Sequence, residues 1–102
     1  MDTLQYELRA RIFKALGHPS RLMIVDALQG GPKNVADLVQ LVGSEYATVS
    51  RHLAVLKESG ILSVDRKEGN LVFYRLEVTC IARFFSCVAE VMKQRRAALE
   101  ER

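Results

Sequence analysis

Residues 43–60 read Gly43-Ser-Glu-Tyr-Ala-Thr-Val-Ser-Arg-His-Leu-Ala-Val-Leu-Lys-Glu-Ser-Gly60. Val49, Leu53 and Leu56 recur at i, i+4 and i+7, which predicts a helix with one buried stripe, capped by Ser44 and ended by Ser59-Gly60. Just upstream, Asn34 can cap a short helix with Asp37 in its first turn, where the helix dipole favours an anion. Val35, Leu38, Val39 and Val42 form its buried side, and Gly43 breaks it. Two short helices joined by so tight a turn make a helix-turn-helix.

The chain before this pair carries two more helical patterns. Leu4, Leu8, Ile12 and Leu16 form an apolar stripe that Gly17 ends. Pro19, placed where a first helical residue needs no amide partner, starts a second helix through Leu22, Ile24, Val25 and Leu28, stopped by Gly30-Gly31-Pro32. After Gly60 the period changes. Ile61, Leu62 and Val64, then a charged Glu-Gly-Asn turn at 68–70, then Leu71, Phe73, Tyr74 and Leu76 predict a β-hairpin. From about Thr79 a helical period returns through Ile81, Phe84, Phe85, Val88, Val91 and Met92. The expected fold is mainly α with a small β-hairpin, in the order α-α-α-α-β-β-α: a winged helix-turn-helix whose first and last helices dimerise.

One domain accounts for all of residues 1–102, since a single core occupies about 100–150 residues. Hydrophobic residues make up 49% and charged residues 26%, so a real core is available. No run of about 18 apolar residues spans a bilayer, and the charged N-terminus is unlike a signal peptide, so a cytoplasmic protein without membrane contact is expected. Fifteen Lys+Arg against twelve Asp+Glu give +3. That balance suits a polyanionic partner without requiring one, because the charge is spread along the chain. Nucleic-acid binding must therefore rest on where the charges sit.

Five ordered segments carry a resemblance. Ala15-Leu-Gly-His-Pro-Ser-Arg-Leu22, Val35-Ala-Asp-Leu38, Thr48-Val-Ser-Arg-His-Leu-Ala-Val-Leu56, Ser59-Gly-Ile-Leu62 and Arg66-Lys-Glu-Gly-Asn70 with Tyr74 together resemble the ArsR/SmtB family of arsenical- and metal-responsive repressors. The resemblance covers nearly the whole chain and implies a dimeric repressor on double-stranded operator DNA. It also shows departures. The third helix lacks the cysteine pair that arsenic-binding members carry, and the last helix lacks the His and Asp ligands of zinc-sensing members.

At about 100° per residue, Ser44, Ala47, Thr48 and Arg51 fall opposite the buried stripe of the fourth helix and would face a major groove. Arg51 can pair bidentately with guanine, Thr48 and Ser44 can donate to base edges or phosphate, and Ala47 can touch a thymine methyl. Ser50 and His52 lie on the flanks, where phosphate contact competes with bonds inside the domain; the structural role is preferred for His52. His18 is read as a cap or a packed side chain; Arg21 and Lys33 can clamp phosphate at helix starts, with solvated charge the preferred reading of each. In the hairpin, Arg66 and Lys67 near the tip, with Asn70, can follow the flanking backbone.

A winged domain closes its core with three helices and a hairpin, which leaves the stripes of the first and last helices for a second copy to cover. A two-fold dimer implies an imperfectly palindromic operator. Cys80 and Cys87 stand seven residues apart, so on one helix they share a stripe with Cα atoms ~10.5 Å apart, beyond the ~7 Å reach of a disulfide. Cys80 is expected in the first turn of the last helix, and Arg83 within reach of both thiols. Soft thiolates select soft acceptors, so trivalent arsenic or antimony is the favoured effector, with no cofactor required. A redox or reactive-sulfur signal on the same thiols is the alternative, as is a ligand-independent regulator with purely structural cysteines.

No enzyme is expected. There is no Cys-x-x-Cys or βαβ pattern for a thiol oxidoreductase, and Ser50 and His52, two residues apart on a helix, face different ways. A winged domain that binds protein instead of DNA is the remaining non-enzymatic reading.

Overall fold

The computed structural model describes residues 2–100. Helix α1 (Thr3–Leu16) leads into α2 (Pro19–Leu28), the two-residue strand β1 (Lys33–Asn34), α3 (Val35–Val42) and α4 (Tyr46–Glu58). The hairpin β2 (Leu62–Glu68) and β3 (Leu71–Leu76) follows, and α5 (Ile81–Glu100) closes the chain. This is the winged helix-turn-helix expected from the sequence.

Local chemistry explains the boundaries. The Asp2 carboxylate accepts from the Gln5 amide to cap α1, and Asn34 accepts from the Asp37 amide at 2.8 Å to cap α3. Gly43 ends α3 in the left-handed region, at φ 75°, where a Cβ would be strained. One expected cap is absent. The first carbonyl to accept inside α4 is that of Glu45, from the Val49 amide, so Glu45 occupies the cap position and its side chain makes no capping bond. Ser44 is taken up by the turn, because reversing direction between α3 and α4 uses all of residues 43–45.

The core is assembled from α2, α3, α4 and the base of the hairpin. Ile24, Val25, Leu38, Val49, Leu53, Leu56 and Leu62 are its fully buried side chains, and each Val, Leu or Ile removed from water contributes about 1.5–3 kcal/mol. The hairpin belongs to a three-stranded antiparallel sheet of order β1-β3-β2, with Lys33 opposite Tyr74 and Leu62 opposite Leu76. β1 leaves no signature in the sequence, since two residues carry no alternation to read. Lys33 is thereby an edge-strand residue.

Two expectations about α5 and the wing are corrected. β2 runs on to Glu68, so the turn is only Gly69-Asn70, with Gly69 at φ 60°, as a two-residue turn with glycine first requires. Arg66 and Lys67 therefore lie on the strand. Cys80 lies one residue before α5 and not in its first turn: the chain still turns at Thr79-Cys80, and the Cys80 carbonyl receives the Arg83 amide.

Helices α1 and α5 pack against the rest through few side chains. Ala15, Leu16 and Ile81 are buried, and Phe13 meets Phe84 with ring centroids 5.8 Å apart. Leu4, Leu8, Ile12, Phe13, Val88, Val91 and Met92 stay exposed. Phe13, Leu16, Leu22, Phe84, Phe85 and Val88 line an apolar cleft of about 470 Å³ between α1, α2 and α5. Such an exposed apolar surface marks an interaction site.

Candidate nucleic-acid interface

α4 turns Val49, Leu53 and Leu56 into the core, and that orientation fixes what its other side presents. Ala47, Ser50 and Arg51 are exposed and Thr48 is half-buried. Arg51 makes no hydrogen bond or ion pair among the described residues, so its five donors are free for an external acceptor. Ser44 is half-buried in the turn before α4, and so stands outside the helix that presents the others. Tyr46, the first residue of α4 and 61% exposed, was missed in the sequence reading. An exposed aromatic opening the second helix of such a pair is the signal that could have found it.

His52 is only 8% exposed. Its Nδ1 accepts from Arg21 Nε at 3.1 Å, and its ring lies 4.4 Å from that of His18. This seats His52 between α2 and α4, on the flank of the groove-facing side, with a hydrogen bond inside the domain. His18 does what a cap does: its Nδ1 accepts from the Ser20 amide. Arg21, expected to be solvated, is half-buried and also donates to the Ala15 carbonyl.

Burial, followed by the like charges of His18, Arg21 and Arg51, lowers the His52 pKa from its usual 6.5. The unfolded chain therefore takes a proton more readily than the folded one, and stability present above pH 6.5 is lost as the pH falls through the folded value. Thermal unfolding midpoints should drop more between about pH 7 and about pH 5 in the wild type than in His52→Gln, which keeps an acceptor but does not titrate. Equal drops would remove His52 as the source.

The wing presents less free charge than its sequence suggests. Arg66 is held by Asp65 at 2.8 Å and Glu68 at 2.7 Å, with its guanidinium 3.9 Å over the Phe73 ring. Those two carboxylates raise the Arg66 pKa through their hydrogen bonds. Arg75 joins Glu77 to Asp65, and Ser63 donates to Glu77. Lys67 and Asn70 are exposed at the tip end, with no such partners among the described residues.

Cys80 and Cys87 are both exposed free thiols. Cys87 shares a stripe of α5 with Phe84 and Val91, at i−3 and i+4. Arg83 makes no ion pair or side-chain hydrogen bond among the described residues, so the structure does not join it to either thiol. No group of three or more His, Cys, Asp or Glu side chains able to hold a metal ion gathers among those residues. No helix among them is long and apolar enough to cross a membrane.

Comparison with known proteins agrees with this geometry. Residues 18–64 match the family described as bacterial regulatory protein, arsR family. Rv0081 of Mycobacterium tuberculosis strain H37Rv, an uncharacterized HTH-type transcriptional regulator, is 33% identical over 101 residues, covering 94% of this chain and 88% of its own. Its crystal structure matches at a TM-score of 0.80 and 29% identity, over 96% of this chain and 97% of that one. The homodimeric winged helix-turn-helix DNA-binding domain of Mb0332 from Mycobacterium bovis matches at 0.75 and 32%, over 90% and 84%. The transcriptional repressor BigR from Xylella fastidiosa matches at 0.71 and 35%, over 89% and 96%. With the fold, the polar face of α4 and these likenesses together, the chain belongs to the arsR family of bacterial transcriptional regulators.

Proposed function

We propose that the protein is a homodimeric repressor that places α4 of each copy in successive major grooves of an imperfectly palindromic operator and is released by a thiol-reactive effector at Cys80 and Cys87. The observation that carries the reading is the pairing of two surfaces: a polar α4 face with an uncommitted Arg51, and apolar stripes on α1 and α5 open to a second copy. The homodimeric state of the Mb0332 domain and the repressor role of BigR support it.

Trivalent arsenic or antimony is the favoured effector because exposed thiols are soft, accessible donors. No third ligand gathers within one protomer among the described residues, so a three-thiolate site would draw cysteines from both copies. The same fact favours, as a second reading, a two-thiol reaction with an oxidant or a reactive sulfur species. Either effector would act by repacking the α5 seam, and a coupling of about 1–3 kcal/mol suffices to release DNA.

Gel shifts with DNA from the protein's own promoter should give a complex that weakens with arsenite, antimonite or persulfide. Cys80→Ser and Cys87→Ser should each abolish that response and leave DNA affinity unchanged. Failure to bind any palindromic promoter sequence would refute the repressor reading, and a response that survives both substitutions would return the cysteines to packing.

A further inference from the structure

A pocket of about 240 Å³ lies between the start of α2 and the outer flank of α4, lined by His18, Arg21, Thr48, Arg51, His52 and Val55. Four of these six side chains are cationic or can become so. No carboxylate pairs with Arg21 or Arg51 among the described residues. Burial first, and then the charges of His18, Arg21 and Arg51, reduce the affinity of His52 for a proton. Like charges gathered around a cavity without a counter-charge are matched by an anion.

The His52 ring gives a second, independent sign. It is more than nine-tenths buried, and because Nδ1 accepts from Arg21, Nε2 carries the proton of the neutral ring. Nε2 has no hydrogen-bond partner among the described residues, yet no polar side-chain atom there is buried and unsatisfied. This donor is therefore open to solvent, on a ring that lines the pocket. The helix end itself supplies little: Pro19 has no amide hydrogen and the Ser20 amide is taken by His18. The side chains make the site. Thr48 adds a hydroxyl, and Arg51 belongs both to the lining and to the exposed face of α4.

We infer that this pocket is a phosphate site that seats one backbone phosphate of bound DNA per subunit, with Arg21, His18 and His52 Nε2 as its donors, beside the bases that α4 faces. The inference rests on the DNA-binding reading above. It gives Arg21 and the two histidines a positioning role: a phosphate held on the flank of α4 sets how far the helix enters the groove.

Salt dependence tests it without knowledge of the operator. Binding of the full chain to a mixed-sequence duplex of about 30 base pairs should have its log-affinity against log-salt slope reduced by about 1.8 in Arg21→Gln, one phosphate per subunit. Between about 50 and about 200 mM salt, the wild type should then lose about 12-fold more affinity than Arg21→Gln. His18→Gln, which retains an acceptor for the Ser20 amide and removes the ring's hydrogen-bond donor but no fixed charge, should weaken binding at fixed salt with the slope kept, and decides the matter alone if Arg21→Gln does not fold. An unchanged slope in folded Arg21→Gln, or an unchanged affinity in folded His18→Gln, with the wild type still binding, overturns the phosphate site and leaves the DNA reading intact. A wild type that binds no duplex removes both. If inorganic phosphate alone shifts the His18 and His52 ring resonances while the Arg21→Gln slope stays unchanged, the site serves free phosphate and the assignment to DNA is overturned.

Discussion

Val88→Glu is expected to leave a folded but monomeric protein whose affinity for promoter DNA is at least about 100-fold weaker. Val88 is exposed in the single subunit and lines the apolar cleft with Phe84, Phe85 and Met92, so the substitution removes no core packing. In a two-fold seam it acts twice, bringing two carboxylates into apolar surroundings at a cost of several kcal/mol. A monomer holds one half-site and loses the gain from linking two. Sedimentation and fluorescence anisotropy on the same sample check both halves of the expectation. A variant that remains dimeric, or a monomer that binds as tightly as the wild type, contradicts the proposed seam.

Arg51→Ala should remove most of the preference for the operator while leaving stability within about 0.5 kcal/mol of wild type. The stability expectation follows from the freedom of its side chain, which has no bond to lose. One bidentate arginine–guanine pair is worth about 1–3 kcal/mol of discrimination, so two half-sites together give about 2–6 kcal/mol, or about 30-fold to 10⁴-fold. Competition between promoter DNA and a scrambled duplex is the measurement that isolates this effect. Equal losses on both duplexes would make Arg51 a backbone contact, and no loss on either would favour a protein partner for this face.

The helical order and most of the core were readable because long amphipathic periods and capping residues act locally. Val49, Leu53 and Leu56 are buried as their spacing requires, and Asn34 and Gly43 bound α3 as their side-chain and backbone chemistry dictate. What escaped depends on tertiary geometry. β1 exists only because Lys33 and Asn34 lie beside β3. Ser44 is an excellent cap by composition, but the length of the turn, which no propensity reports, gave the cap position to Glu45. Cys80 falls outside α5 for the same kind of reason. On the candidate interface, periodicity separated Ala47, Thr48 and Arg51 from the buried stripe and left Ser50 and His52 on the flanks. Tyr46 was passed over because an aromatic residue reads first as core. The pairing of His52 with Arg21 joins residues 31 apart in sequence, a distance over which spacing carries no information.

The ion pairs of the wing have a consequence for how it would meet a duplex. Asp65 and Glu68 act as built-in counterions for Arg66, so a DNA phosphate that takes over this guanidinium displaces a carboxylate of the protein and not a dissolved anion. Little electrostatic free energy is left for that exchange to release. The wing would then respond to the width and curvature of the groove beside it more than to the density of negative charge, acting as a gauge of duplex shape while the helices supply the grip.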